Sequence, residues 1–401
     1  MILAATVALA LAGPQLTRLP NGIPVIVETT GKDLVSFQVL VRTDDLTAIE
    51  SGAIETMASA LFGETENYSL RELRRLAWAV GGSVTSVWAG DCLRLEIATT
   101  SDRLNPAAAL MSDALRRPVF APGALDQARL TNQSHQAWLD RTPPLRAIRT
   151  NLARRDIAPL PVTSLTKAQA VALHAKVFRP ERVSIAVVGD TTAEAVAKAL
   201  GASLGLWEPK EVARTPPLRP DSTGKTGEFH TALATVEGPK ASESGFAAWV
   251  VACISVGEGK QSLLNRKYRI DRGLSYITGS YFTFRDKASY CTFYVSWSGD
   301  KSAVTDLVQT VAAHRPAEQE IARAKALTAG RYLVGGPTEV VQMGAFSTDH
   351  STRSSRAFWL AWWEMKGAGI GRDSAFPGTV RSLTPEQVTA ACAAWLTTAT
   401  P

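Results

Sequence analysis

The chain has 401 residues, more than one ordinary core needs, so two domains are the first expectation. Hydrophobic residues make up 45% and charged residues 20%, the balance of a globular protein. Its 43 basic and 37 acidic residues give a net charge of +6, scattered along the chain, which argues against a nucleic-acid binder and hints at an acidic partner surface.

Residues 1–13 form an apolar run too short to span a bilayer as a mature helix. The run fits the apolar part of a secretory signal, with Ala10-Leu11-Ala12 as a small-x-small cleavage site, although no Lys or Arg precedes it. Export to the periplasm or the medium is therefore expected, and a cytoplasmic location if the run is no signal. A strand signal over 19–27 is bent by the turn pair Asn21-Gly22, and a loosely alternating strand follows over 34–41. Ser69 and Glu72 make a capping box for a helix over 70–80. Two strands follow Gly81-Gly82; in the second, Cys92-Leu-Arg-Leu-Glu-Ile97, one face carries Leu93, Leu95 and Ile97 and the other Arg94 and Glu96. Helices are predicted over 102–116, 122–139 and 164–178, and a buried strand over 182–190. Strands first and helices later is the pattern of a helix-on-sheet α+β domain.

Residues 208–226 are rich in proline and charge and read as a linker between a first domain, 14–207, and a second, 227–401. The second half repeats the first in outline. Pro122-Gly-Ala-Leu-Asp-Gln-Ala-Arg129 is echoed by Pro316-Ala-Glu-Gln-Glu-Ile-Ala-Arg323, and Ser164-Leu-Thr-Lys-Ala-Gln-Ala-Val171 by Ser382-Leu-Thr-Pro-Glu-Gln-Val388, in the same order. Two homologous domains, each a mostly antiparallel sheet covered by helices, are expected. The second copy has no counterpart of strand 182–190, so its sheet should lack a strand or borrow one.

The most informative stretch is Gly52-Ala-Ile-Glu-Thr-Met-Ala-Ser-Ala-Leu-Phe-Gly-Glu-Thr65. With the strands before it and the helix and strands after it, it resembles the first domain of the pitrilysin and insulinase type of zinc metallopeptidases, the inverzincins. In that family the corresponding helix reads Gly-Leu-Ala-His-Phe-Leu-Glu-His-Met-Leu-Phe-Lys-Gly-Thr. This chain keeps Gly52, Leu61, Phe62 and Thr65, but has Glu55, Ala58 and Ser59 where the family has first histidine, glutamate and second histidine. Glu55 and Ser59 have the four-residue spacing that puts two ligands on one helical face, but serine binds zinc poorly. Alanine at 58 has no group that could take a proton from a metal-bound water. The family's third ligand, a glutamate in the long helix after Phe120, falls in Asn132-Gln-Ser-His-Gln-Ala137, which offers no carboxylate. A non-catalytic copy is expected, with no metal bound by this chain.

The second informative run, residues 256–276, resembles the family's segment that ends in Arg-x-x-Arg-Gly-Leu-Ala-Tyr. Arg269 and Tyr276 stand at the positions of the family's arginine and tyrosine, with Arg272-Gly273-Leu274 between them. The resemblance implies that they reach toward a zinc domain and hold the substrate carbonyl, a role that suits a fixed cation and a phenol facing a developing oxyanion. On pattern alone, Arg near the last turn and Gly273 as a C-cap also describe an ordinary helix end. Two-subunit members of the family divide the labour: one chain keeps zinc, and its partner lacks zinc but keeps arginine and tyrosine. The expected function is thus the non-catalytic subunit of a heterodimeric peptidase, binding peptide beside a zinc-bearing sister chain. The alternative is a stand-alone peptide-binding or scaffold protein. The non-catalytic subunit of mitochondrial processing peptidases is similar, although the loop Gly257-Glu-Gly259 is short for it.

The remaining chemistry-bearing residues read as structural. The cysteines, Cys92, Cys253, Cys291 and Cys392, form no C-x-x-C pair and read as buried small apolar residues. The histidines, His135, His174, His230, His314 and His350, show no i, i+4 pair for a replacement metal site. Trp359, Trp362 and Trp363 share one helical face and are expected in a core or interface.

Overall fold

The computed structural model describes residues 13–81, 83–211, 215–221, 229–334 and 352–395. The first twelve residues of the expected signal, parts of the expected linker and His350 lie outside the described residues. Among the described residues no helix is long and apolar enough to cross a membrane.

The first half opens with the hairpin β1 (Gln15–Arg18) and β2 (Pro24–Thr29), whose bend uses Gly22 at φ +87°. β3 (Leu34–Arg42) leads to α1 (Ala48–Ala58) and α2 (Leu70–Ala79), both started by capping boxes, Thr47 with Glu50 and Ser69 with Glu72. β4 (Ser83–Trp88) and β5 (Cys92–Thr100) follow, then α3 (Leu104–Arg116), α4 (Pro122–Asp140), α5 (Pro143–Ala153), α6 (Lys167–Val177), β6 (Val183–Gly189) and α7 (Ala193–Gly201). Six strands form one sheet in the order β1-β2-β6-β3-β5-β4, antiparallel except for β2 with β6. β6, Val-Ser-Ile-Ala-Val-Val-Gly, is buried along its whole length, as a central strand covered on both faces must be.

The second half comprises β7 (His230–Gly238), α8 (Phe246–Gly257), a π-helical segment (Asn265–Asp271), β8 (Ile277–Phe284) and β9 (Ser289–Trp297). Helices α9 (Leu307–Ala312), α10 (Glu318–Val334), α11 (Arg353–Met365), α12 (Gly371–Ser382) and α13 (Pro385–Ala393) complete it. Both sequence echoes prove to be structural: they open α4 and α10 in one case and α6 and α13 in the other. The latter two carry the same capping box, Thr166 with Gln169 and Thr384 with Gln387. The second sheet has three antiparallel strands in the order β7-β9-β8. Where β6 flanks β3 in the first half, no strand flanks the outer edge of β7 among the described residues.

Each half lends a helix to the other. Leu145, Ile148 and Leu152 of α5 join Tyr281 and Tyr294 of the second sheet in one apolar cluster. In return α11 lies across β3 and β6 on the face that carries Gln38 and Arg94; both donate to Ser354. The alternation in β5 is as expected, with Leu93, Leu95 and Ile97 fully buried in the first core, but its polar face meets α11 rather than water. Arg94 and Glu96 pair there at 2.6 Å. At the end of α11 Lys366 is buried between Asp44 at 2.5 Å and Asp91 at 2.9 Å, and Trp362 Nε1 donates to Asp91. Burial alone would lower the Lys366 pKa, but the two carboxylates overcome it and raise the value. Trp359, Trp362 and Trp363 are fully buried and all four cysteines are buried and free, as expected.

Candidate functional site

α1 is held tightly from two sides. A Cβ on Gly52 would stand 1.6 Å from the Leu160 carbonyl oxygen, so only glycine admits the chain at this crossing. One turn later Thr56 Oγ1 donates to the Val162 carbonyl at 2.6 Å and accepts from Asn132 Nδ2 of α4 at 2.7 Å. The helix ends at Ala58, with Ser59 as its C-cap; tighter i→i+3 bonds, Ala60 to Met57 and Leu61 to Ala58, close the turn.

This clamp fixes where the degenerate metal positions lie. Ala58 is buried, and Ser59 is exposed beyond the helix body. Glu55 faces α4 and α5, where Arg149 Nη2 donates to it at 2.8 Å and Nη1 at 3.5 Å; both side chains are nearly buried, at 8% and 10% exposure. Gln136 Nε2 lies 3.5 Å from the same carboxylate and His135 Nε2 3.6 Å from it. Burial lowers the pKa of His135, and the Arg149 charge lowers it further against the pull of Glu55. A guanidinium thus fills the place next to the one carboxylate of the motif. The donor set does not fit zinc: the carboxylate is committed to a cation, the neighbours are alanine, serine, asparagine and glutamine, and the fixed positive charge opposes a second. Among the described residues no group of three or more His, Cys, Asp or Glu side chains is placed to hold a metal ion. A cavity of about 230 Å³, lined in part by Gln136, Arg146, Arg149 and Thr150, adjoins this cluster.

Arg149 was not singled out from the sequence. Its signal was present but faint: it is a cation next to Ile148 on the stripe Leu145, Ile148, Leu152 that buries α5 against the second sheet.

The second constellation lies on the π-helical segment and the start of β8. Three of its side chains serve as anchors on one carboxylate: Tyr268 donates to Asp306 at 2.9 Å, Lys267 pairs with it at 2.7 Å and Arg272 at 3.2 Å. Arg272 also donates to the Ala303 carbonyl. Gly273 at φ +60° then turns the chain back, as expected of a C-cap glycine. Tyr276 thereby comes over Arg269, whose guanidinium carbon stands 4.9 Å from the ring centroid. Neither side chain has a hydrogen bond or ion pair with a described residue, and Tyr276 is 81% exposed. The sequence-predicted pair is brought together; Glu55 belongs to a separate cluster with Arg149, His135 and Gln136.

Residues 164–327 match the family model described as the peptidase M16 inactive domain. The match begins just before α6, runs into α10, and contains Arg269 and Tyr276 but not α1. Among solved structures the chain is similar to the peptidase M16 inactive domain from Pseudomonas fluorescens, at 16% identity and a TM-score of 0.73, over 95% of this chain and 94% of that one. It is also similar to a protease from Helicobacter pylori, at 12% identity and a TM-score of 0.70, over 94% and 95%. At such identities the likeness shows the fold, the two-part α+β architecture described above. No protein of curated function matches the chain. These findings support a likeness to the M16 peptidase inactive domain over residues 164–327 and to that fold over nearly the whole chain.

Proposed function

We propose that this M16 homologue is the non-catalytic subunit of a heterodimeric zinc peptidase, exported with a zinc-bearing sister chain, whose active site it completes. The observation that carries the reading is a contrast between two arginines. Arg149 is committed to Glu55, at the position where a metal ligand would stand, whereas Arg269 stacks on exposed Tyr276 with all its donors unused by described residues. A guanidinium and a phenol held together on a surface can both donate to an oxyanion that develops on a scissile carbonyl, and such donors act most strongly once a partner surface excludes water. Packing on Tyr276 orients the guanidinium without consuming its N–H groups.

In the purified complex with the sister chain, Arg269→Ala should lower kcat by about 10²-fold to 10³-fold, the usual loss for one oxyanion donor. Tyr276→Phe should lower kcat less, and size-exclusion chromatography should show both complexes intact. Turnover unchanged in both variants would remove the role assigned to the pair.

A further inference from the structure

A second cavity, of about 1210 Å³, opens between the corner that joins α4 to α5 and the open side of the second sheet. Four cations line it, Arg141, Arg146, Arg154 and Lys301, against one carboxylate, Asp140, which stands 3.9 Å from Arg146. Arg141, Arg154 and Lys301 are exposed, and their side chains have no ion pair or hydrogen bond with a described residue. The apolar part of the wall includes buried Trp297 and Ile277, the residue next to Tyr276.

Residues 229–233, consecutive along the start of β7, all line the cavity. Side chains of a strand alternate between faces, so this run brings backbone as well as side-chain atoms to the cavity. The outer edge of β7 has no strand partner among the described residues. The cavity also shares Asp140, Arg146 and Thr150 with the smaller one beside Arg149, so the two adjoin at the corner that joins α4 to α5.

We infer that this larger cavity seats an acidic peptide segment, extended along β7, with carboxylates over Arg141, Arg154 and Lys301 and an apolar side chain against Trp297. The inference rests on the peptide-binding reading above and names the substrate class. A free strand edge offers alternating N–H and C=O groups that a peptide backbone matches and a nucleic-acid backbone does not. Exposed cations on the rim then select by charge and speed encounter, an effect that weakens with salt.

Fluorescence anisotropy on the full chain tests this, with three labelled peptides of about eight residues, equal in apolar content and carrying Glu, Gln or Lys at alternate positions. We expect the Glu peptide to bind about tenfold tighter than the Gln peptide, the Lys peptide to bind most weakly, and the preference to shrink with added salt. The combined variant Arg141→Glu, Arg154→Glu, Lys301→Glu, checked for folding by circular dichroism, should invert the order. Equal binding of all three peptides, an order unchanged in the variant, or displacement of the Glu peptide by a short oligonucleotide as readily as by unlabelled peptide would each overturn the acidic-peptide assignment alone. If no peptide binds, the peptide-binding reading itself falls with it.

Discussion

Glu55 and Arg149 are 94 residues apart in sequence and meet in a nearly buried ion pair. Because both side chains are nearly buried, removing one partner strands the other's charge in a poor solvent. Arg149→Ala should therefore cost about 3–5 kcal/mol in urea unfolding, while the double change Arg149→Met, Glu55→Leu should cost much less. Additive costs in that double-mutant cycle would show that the pair is not coupled. The sequence shows Glu55 and the missing histidines and base plainly, because those are identities at fixed spacings. Arg149 escapes it, because only the docking of α5 on α1 and α4 brings the guanidinium there.

Single elements were legible where local chemistry marks them. Ser69 with Glu72, the alternation of β5 and the Gly273 turn appear where their residues place them. In the first half two helices went unread. α5 opens on Pro143-Pro144, which reads as a break but suits the first turn of a helix, and α7 is a short helix capped by Thr192. Among the elements α6 carries a pH response. Its His174 is buried, stacks on Phe178 and donates from Nε2 to the Leu115 carbonyl at the end of α3 at 2.9 Å. Burial holds its pKa down at about 3, against 6.5 for an ordinary histidine. A base whose folded pKa is depressed contributes stability that is complete above the unfolded value. Below pH 6.5 the unfolded chain takes up a proton that the folded chain refuses until pH about 3, so stability falls by up to about 1.4 kcal/mol per pH unit across that window. His174→Gln keeps a donor for Leu115 and does not titrate; its unfolding midpoint should fall less steeply from pH 7 to pH 5. Parallel slopes for the two proteins would contradict this.

For the molecule as a whole, the sequence repeat predicts two similar domains, and its echoes fall at the starts of α4 and α10 and of α6 and α13. The exchange of α5 and α11 was not legible, since nothing local tells an amphipathic helix which of two similar sheets it will cover. That exchange is bolted by Lys366, a cation from the second half buried between two carboxylates of the first. Lys366→Met should destabilise the protein by about 3–5 kcal/mol, because Asp44 and Asp91 would be left buried near each other with their bridging cation gone and Arg42 standing 3.9 Å from Asp44. A loss below about 1 kcal/mol would mean that water or another cation replaces it readily. The same exchange fixes α5 on the second sheet while Arg149 reaches back to Glu55, so the Glu55 cluster and the shared core of the two halves are coupled through one helix. The central claim, that hydrolysis must come from another polypeptide, is tested most directly by metal analysis of the isolated, purified chain alongside a peptide-cleavage assay with and without chelator. We expect substoichiometric zinc and no chelator-sensitive cleavage; one zinc per chain together with cleavage abolished by the chelator would contradict it.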